Sequence, residues 1–271
     1  MDERPIGVFD SGVGGLTAVR ELQALLPRER LVYFGDTGRV PYGSRSPETI
    51  LQYARQDIRF LLSKNVKFLL AACGTISSVL PPAYAATLPV PYAGVLDAAA
   101  RAAAQATRTG RIGVIGTAAT IRSGSYAQRL RALLPGVQVV ARSCPMFVPL
   151  VENGYVEPGD AVTTTIAREY LAPVRAAHVD TLILGCTHYP LIAHIIGQVM
   201  GPDVTLIDPG RETALVASRS LAQAGLLAPP GAAGGTDYYV SDLPEGFEAS
   251  LRLFIGPQGA GPVERVAIES F

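Results

Sequence analysis

The sequence of 271 residues predicts an α/β protein made of two similar, doubly wound α/β domains with mainly parallel sheets. Short apolar runs alternate with helical patterns along the chain. The runs are apolar at successive positions, which is typical of parallel strands covered by helices on both faces. We predict strands at Ile6–Phe9, Leu31–Phe34, Phe68–Ala72, Ile112–Ile115, Val137–Val140, Thr181–Leu184 and Val204–Ile207.

An internal repeat predicts the two domains. IGVFDSGVGG, which starts at Ile6, and IGVIGTAATIRSG, which starts at Ile112, each lead from a strand into a loop of small residues. Farther along each half a strand ends at a cysteine, Cys73 in the first and Cys186 in the second. Ligands of open α/β sheets lie beyond the carboxyl ends of the strands, so we expect both thiols to face one cleft between the domains. We place the first domain at 1–97 with 208–271 and the second at 98–207.

Local signals mark the ends of several helices. Ser46-Pro47-Glu48 is a good helix start with proline at the first helical position, and Asp160 opens a helix that runs to about Arg175. The composition of Ala228–Gly235 is typical of a flexible linker, and a short C-terminal strand and helix region follows it. One apolar helical face is formed by Leu16, Val19, Leu22 and Leu26.

The amino-acid composition indicates what kind of molecule the protein binds. Lys plus Arg and Asp plus Glu both count 23, so no global field attracts nucleic acid or an anionic membrane, and a small molecule is the expected partner. No apolar run approaches the roughly 18 residues that a membrane helix needs. The charged N-terminus lacks the layout of a signal peptide, which predicts a cytoplasmic protein whose cysteines stay reduced.

The loop DSGVGGLT, which starts at Asp10, has the glycines of an anion-binding turn between a strand and a helix. It lacks the Lys-Ser/Thr of a P-loop and the third glycine of the dinucleotide motif. Asp10 would repel phosphate and attract an ammonium group, while the loop N–H groups could bind a carboxylate. This combination favours an amino acid as the ligand. The alternative is that the glycines only allow positive φ angles in a tight turn.

Each cysteine by itself could be a small buried hydrophobic residue. However, Cys73 and Cys186 both follow an apolar strand, both precede a threonine within two residues, and both are expected to begin a helix. A helix N-terminus lowers the pKa of a thiol from about 8.5 toward neutrality, which would make a thiolate available. Cys144 lacks this setting, and we predict no chemical role for it.

Other uses of these thiols fit less of the pattern. A zinc site is disfavoured because the chain has no CxxC motif and because His178 and His194 fall in predicted helical stretches. A Cys-His hydrolase needs no second cysteine, and a thioredoxin-type redox site would use CxxC. Two separate thiols facing one cleft suit acid–base chemistry, in which one thiolate removes a proton and the other thiol delivers one from the opposite side.

Five motifs together resemble the cofactor-independent aspartate/glutamate racemase family: IGVFDSGVGGLT, YFGDTGRVPYGSRS, AACGT, VENG and GCTHYPL. The resemblance extends from about Ile6 to Asp208. It implies an isomerase that interconverts L- and D-glutamate without a metal or an organic cofactor and supplies D-glutamate for peptidoglycan. It also implies a cytoplasmic homodimer of two-domain subunits. A racemase of the same family acting on aspartate or a hydantoin, and a non-catalytic amino-acid-binding protein, remain alternatives.

The resemblance also implies roles for individual residues. The catalytic thiols correspond to Cys73, which would deprotonate D-glutamate, and Cys186, which would deprotonate L-glutamate. The residue after the first thiol is usually Asn in this family but is Gly74 here, and we predict that Gly74→Asn would tighten glutamate binding. The supporting acid/base groups correspond to Asp10, Glu152 and His188, and the substrate contacts to Asp10, Ser11, Tyr42, Gly43, Gly74, Thr75, Thr117, Thr120, Thr187 and His188.

Overall fold

The computed structural model describes residues 1–242, 247–256 and 261–271. Its strands form a six-stranded sheet in the order β10-β9-β2-β1-β3-β4 and a four-stranded sheet in the order β6-β5-β7-β8. Every strand pair is parallel. The strands are β1 Ile6–Asp10, β2 Arg30–Gly35, β3 Phe68–Ala71, β4 Tyr92–Gly94, β5 Arg111–Gly116, β6 Gln138–Ser143, β7 Thr181–Gly185, β8 Thr205–Ile207, β9 Gly235–Val240 and β10 Val263–Arg265.

The two sheets repeat one strand order. In the first sheet β2-β1-β3-β4 are neighbours, and in the second β6-β5-β7-β8 are neighbours in the same relative order. The repeat in the sequence therefore corresponds to a repeat in three dimensions, and the α/β fold class with parallel sheets is confirmed. The first sheet adds β9 and β10 at its outer edge, next to β2.

Helices surround both sheets. They are α1 Leu16–Leu25, α2 Pro47–Ser63, α3 Gly74–Val79, α4 Pro82–Ala85, α5 Val95–Ala106, α6 Ala118–Ser123, α7 Ser125–Leu133, α8 Phe147–Glu152, α9 Ala161–Ala176, α10 Ala193–Met200, α11 Pro209–Gln223 and α12 Phe247–Phe254. The predicted starts of α2 and α9 are confirmed, because Ser46 and Asp160 accept hydrogen bonds from the N–H groups of Thr49 and Thr163. Within the described ranges, no helix is both long enough and apolar enough to cross a bilayer.

Three local expectations need correction. Strand β4 was not predicted, because it has only three residues and follows a proline. Strand β6 is not covered on both faces, since it lies at the edge of its sheet and half of its residues are exposed. The linker from Ala228 is anchored at its start, because the N–H of Ala228 donates to the buried carboxylate of Glu29 at 2.7 Å. Glu29 in turn pairs with the buried ammonium of Lys67 at 2.6 Å.

One hydrophobic core continues from the first sheet into the second. It contains Val8 and Leu70 of the first sheet together with Ile115 and Leu184 of the second, all of them buried. Protein interiors are close-packed, so the displacement of one buried side chain is transmitted to its neighbours. The relative position of the two sheets, and of the residues that follow their strands, is therefore set by packing.

Candidate active site

A cavity of about 680 Å³ lies between the two sheets, at the carboxyl ends of their strands. This is where open α/β sheets bind their ligands. Every site residue predicted from the sequence lines this cavity: Asp10, Ser11, Tyr42, Gly43, Cys73, Gly74, Thr75, Thr117, Thr120, Glu152, Cys186, Thr187 and His188.

The two thiols reach the cavity from equivalent strands. Cys73 follows β3 and Cys186 follows β7, and these strands occupy the same place in the repeated order. Both side chains are buried, and neither cysteine forms a disulfide. The repeat thus places one sulfur on each side of a single cavity.

Cys186 is the end of a chain of three polar side chains. Its Sγ lies 3.8 Å from Nδ1 of His188, and Nε2 of His188 lies 2.9 Å from Oε1 of Glu152. Burial alone would lower the pKa of His188, but its hydrogen bonds to Cys186 and Glu152 outweigh that effect and raise the pKa to about 10. His188 is therefore an imidazolium at neutral pH, and it offers the sulfur of Cys186 a charged hydrogen-bond donor.

Cys73 has the opposite electrostatic setting. Its Sγ donates to the neutral Oγ of Ser11 at 3.5 Å. Burial raises the pKa of the Cys73 thiol to about 12, and the charge of Asp10 acts in the same direction. The expectation of a lowered pKa at this thiol is wrong, because desolvation and a neighbouring carboxylate outweigh the helix N-terminus.

The helix expected after each cysteine is also only partly present. Cys73 is the N-cap of α3, but that helix has only six residues. After Cys186 the chain forms a single 3₁₀ turn, Tyr189–Ile192, before α10 begins at Ala193. At Cys186 the imidazole of His188 supplies the positive partner that we had expected from a helix.

The glycine loop after β1 serves Asp10 rather than an external anion. The N–H of Gly12 donates to Oδ1 of Asp10 at 2.8 Å. Burial raises the pKa of Asp10, while the charge of His188 and hydrogen bonds from Gly12, Gly15 and Ser11 lower it. The loop N–H groups that we had assigned to a ligand carboxylate are thus directed at the carboxylate of the protein itself.

Close contact, and not backbone conformation, explains the glycines of this loop. None of Gly12, Gly14 and Gly15 has a positive φ angle. A Cβ on Gly14 would lie 2.1 Å from Oγ1 of Thr187 and 2.7 Å from Nδ1 of His188. The alternative of a turn that needs positive φ is therefore wrong, and Gly14 is one of the points at which the first half of the chain touches the second.

The remaining predicted contacts are arranged around this centre. Tyr42 lines the cavity, and its hydroxyl is buried in contact with Asp36. Thr117 caps α6 by accepting a hydrogen bond from the N–H of Thr120 at 3.3 Å. Thr75, Thr120 and Thr187 are largely buried and line the cavity.

A profile of the Asp/Glu/hydantoin racemase family matches residues 16–217, which is most of the chain. The chain belongs to this family. The glutamate racemase of Geobacter metallireducens is 46% identical over 270 residues, covering 100% of this chain and 99% of the relative.

Solved structures of the family superpose over the whole length. The glutamate racemase of Francisella tularensis, in complex with D-glutamate, has a TM-score of 0.91 at 35% identity and covers 100% of both chains. The glutamate racemase of Thermus thermophilus, in complex with β-chloro-D-alanine, has a TM-score of 0.89 at 42% identity and also covers 100% of both chains.

In this member of the racemase family, α12 forms a part of the site that the sequence did not predict. The ring of Phe254 meets the ring of His188 edge to face, with centroids 5.3 Å apart. Phe247 and Ser250 of the same helix line the cavity. The apolar spacing of Phe247, Leu251 and Phe254 was a usable helix signal, but sequence does not reveal which cleft a C-terminal helix covers.

Two other residues considered from the sequence lie outside this chemistry. Cys144 is fully buried and its sulfur faces the carbonyl of Arg142 at 3.8 Å, and it does not line the cavity. His178 is not helical, since it adopts a positive φ angle in the turn after α9. In the ranges that the structure describes, no group of three or more His, Cys, Asp or Glu side chains is placed to hold a metal ion.

Gly74 is restricted by its neighbour across the cleft. Its φ angle is one that other residues adopt, but a Cβ on Gly74 would lie 2.9 Å from the carbonyl oxygen of Gly185. Gly185 immediately precedes Cys186, so the contact joins the two thiol-bearing loops. Any side chain at position 74 must therefore displace backbone next to the second sulfur.

This contact changes the expected result for Gly74→Asn. We now expect Gly74→Ala to lower kcat/KM about tenfold, because its methyl group separates the two loops without adding a polar contact. Gly74→Asn carries the same Cβ and should bind glutamate more tightly than Gly74→Ala, since its amide can reach a substrate carboxylate. Steady-state kinetics of both variants separate the effect of moving the loops from the effect of the added amide. Wild-type kinetics for Gly74→Ala would show that the carbonyl group of Gly185 can move without loss of activity.

Proposed function

We propose that this protein is a glutamate racemase that interconverts L- and D-glutamate by proton transfer between Cα and two thiols. The observation that carries the proposal is the pair Cys73 and Cys186, which reach one cavity from equivalent strands of a repeated fold. Relatives that align over the whole chain, and the Francisella structure with D-glutamate, support glutamate as the substrate.

Cys186 is the base for L-glutamate in this proposal. The imidazolium of His188 stabilises a thiolate at Cys186, and Glu152 holds the other ring nitrogen of His188. The thiolate takes the proton from Cα of L-glutamate and becomes a thiol. Two electrons remain on Cα, and the second sulfur must supply a proton from the opposite face.

Cys73 is the acid for that second transfer. Its raised pKa favours the protonated thiol, which is the form that this direction requires. Delivery of the proton to Cα leaves a thiolate at Cys73 and completes the inversion. For D-glutamate the same two steps run in reverse, so Cys73 must become the thiolate base. The carboxylate of Asp10 opposes a negative charge on Cys73, and a substrate ammonium beside Asp10 would offset that repulsion.

Local electrostatics must stabilise the developing carbanion. We infer that Asp10 binds the ammonium and that Ser11, Thr75, Thr187 and backbone N–H groups bind the carboxylates in a cleft that excludes water. We further infer that the protein is a cytoplasmic homodimer that supplies D-glutamate for peptidoglycan, with domains at 1–97 with 208–271 and at 98–207.

Metal or cofactor dependence is the first test of this reaction. Protein treated with chelator and dialysed free of pyridoxal phosphate is expected to racemise glutamate in both directions, followed by circular dichroism. Activity that returns only on addition of zinc or pyridoxal phosphate would contradict a two-thiol mechanism. Parallel assays with aspartate and a hydantoin test the related substrates, and turnover of either above that of glutamate would replace the substrate assignment.

Isotope incorporation tests the number of bases. In D₂O, deuterium is expected at Cα mainly in the inverted enantiomer, because separate sulfurs remove and deliver the proton. Early deuterium in unreacted substrate, measured by NMR, would indicate a single base that exchanges its proton with solvent.

A further inference from the structure

A buried polar cluster lies beneath the loop that carries Tyr42. It consists of Asp36, Arg39 and Asp57, and both carboxylates are fully buried. Nε of Arg39 lies 2.6 Å from Oδ2 of Asp36, and Nη2 of Arg39 lies 3.2 Å from Oδ1 of Asp57. The guanidinium also stacks on the ring of Tyr53, 4.0 Å from its centroid. Arg39 is thus held in one orientation by charge and by packing.

The cluster binds the side chain of Tyr42. The hydroxyl of Tyr42 donates to Oδ2 of Asp36 and lies 3.4 Å from Oδ2 of Asp57. Only 1% of Tyr42 is exposed. The hydroxyl is therefore held inside the buried cluster, while Tyr42 and Gly43 line the cavity and Gly43 offers only its backbone.

The cluster carries two carboxylates for one guanidinium. Burial raises the pKa of Asp57 well above its usual value, and the charge of Asp36 adds to that effect, while Arg39 opposes it. Arg39 is in contact with both buried carboxyl groups, so its guanidinium holds Asp36 and Asp57 together.

The same loop is held from the opposite half. Nη2 of Arg122, on α6, donates to the carbonyl oxygen of Gly43 at 3.3 Å. The loop between Val40 and Ser44 lines the cavity, yet it directs no acid or base into it. Its contacts can therefore affect only substrate binding. They stabilise the bound substrate and the transition state by the same amount.

We propose that Asp36, Arg39 and Asp57 are positioning residues for substrate binding, which fix the backbone of Tyr42 and Gly43 by holding the hydroxyl of Tyr42. The inference rests on the proposed function, in which that backbone contacts glutamate. The cluster touches no reacting atom. Its loss should therefore raise KM and leave kcat nearly unchanged.

The decisive variant is Tyr42→Phe, which removes one hydroxyl and keeps the ring. We expect KM for both enantiomers to rise about tenfold, with kcat within about twofold of wild type. Arg39→Lys keeps the positive charge but loses the planar guanidinium that contacts both carboxyl groups, so it should raise KM to a similar extent. The double variant should be no worse than the more affected single variant, because both changes break one network. Asp57→Asn replaces a carboxyl group that contacts both Arg39 and Tyr42, and it should also raise KM.

Asp97→Asn is the matched control, since Asp97 also bridges two arginines, Arg101 at 2.7 Å and Arg129 at 2.5 Å, outside the cavity. It should leave both constants unchanged. The inference is overturned if Tyr42→Phe has a wild-type KM or loses kcat alone, or if Asp97→Asn raises KM as strongly as Tyr42→Phe.

An inactive wild-type protein would contradict the proposed function instead. In that case the affinity for D-glutamate, measured by calorimetric titration, tests the inference. Tyr42→Phe should bind D-glutamate more weakly than the wild type, and Asp97→Asn should bind it equally well. Wild-type protein that neither racemises nor binds glutamate would overturn both.

Discussion

Replacing Cys73 or Cys186 by serine is expected to abolish racemisation in both directions. A serine hydroxyl has far too high a pKa to serve as the base, and inversion at Cα needs both sulfurs. The loss should exceed about a thousandfold in kcat/KM, as it does when general-base and nucleophilic groups are removed elsewhere. Circular dichroism of each glutamate enantiomer measures the effect. Cys144→Ala is the matched control and should keep nearly full activity, since Cys144 lies outside the cavity.

The two serine variants should differ in the exchange of the Cα proton with solvent. Cys186→Ser retains Cys73 and should exchange the proton of D-glutamate slowly in D₂O, while Cys73→Ser should exchange that of L-glutamate. Mass spectrometry of recovered substrate gives the result. The reverse pattern would exchange the roles of the two sulfurs, and racemisation by either variant would contradict the two-thiol mechanism.

Gly14→Ala is expected to lower kcat/KM at least about a hundredfold, because displacement of catalytic groups by about 1 Å has effects of this size. The new methyl group would lie 2.1 Å from Oγ1 of Thr187 and 2.7 Å from Nδ1 of His188. Nδ1 is the atom of His188 that faces the sulfur of Cys186. The substitution should therefore force the two halves apart at the point where the imidazolium supports the thiolate.

Gly235→Ala is the control for this glycine substitution. A Cβ on Gly235 meets nothing within 4 Å, and its φ angle is not positive. It should fold and turn over as wild type does. A thermal unfolding curve for Gly14→Ala separates loss of the site from loss of the fold. An active, stable Gly14→Ala protein would show that the cleft can open without cost to the chemistry.

Much of the fold follows from local pattern. The strand that ends at Asp10 and the strands that precede Cys73 and Cys186 are buried and apolar at successive positions, so their burial was predictable. The repeat predicted two similar halves. Strand β4 was missed because three residues carry too little periodicity, and α12 was placed in no cleft because its partner, His188, lies far away in the sequence.

The electrostatic surroundings of the two thiols could not be predicted from the sequence. The proximity of Cys186 and His188 is visible in GCTHYPL, but Glu152, which bonds the other ring nitrogen, comes from α8. The raised pKa of Cys73 depends on burial and on Asp10. Both are consequences of tertiary packing, which a motif does not encode.

The unequal surroundings of the two sulfurs are subject to a thermodynamic constraint. L- and D-glutamate have the same free energy in water, so at equilibrium they are equally populated whatever protein is present. The ratio kcat/KM must therefore be identical in the two directions, for the wild-type protein and for every variant that still racemises. The carboxylate near Cys73 and the imidazole near Cys186 can only divide that common ratio differently between kcat and KM, by stabilising one bound enantiomer more than the other. The ratio of the two KM values therefore equals the ratio of the two kcat values, and it reports how unequally the cleft treats the two enantiomers.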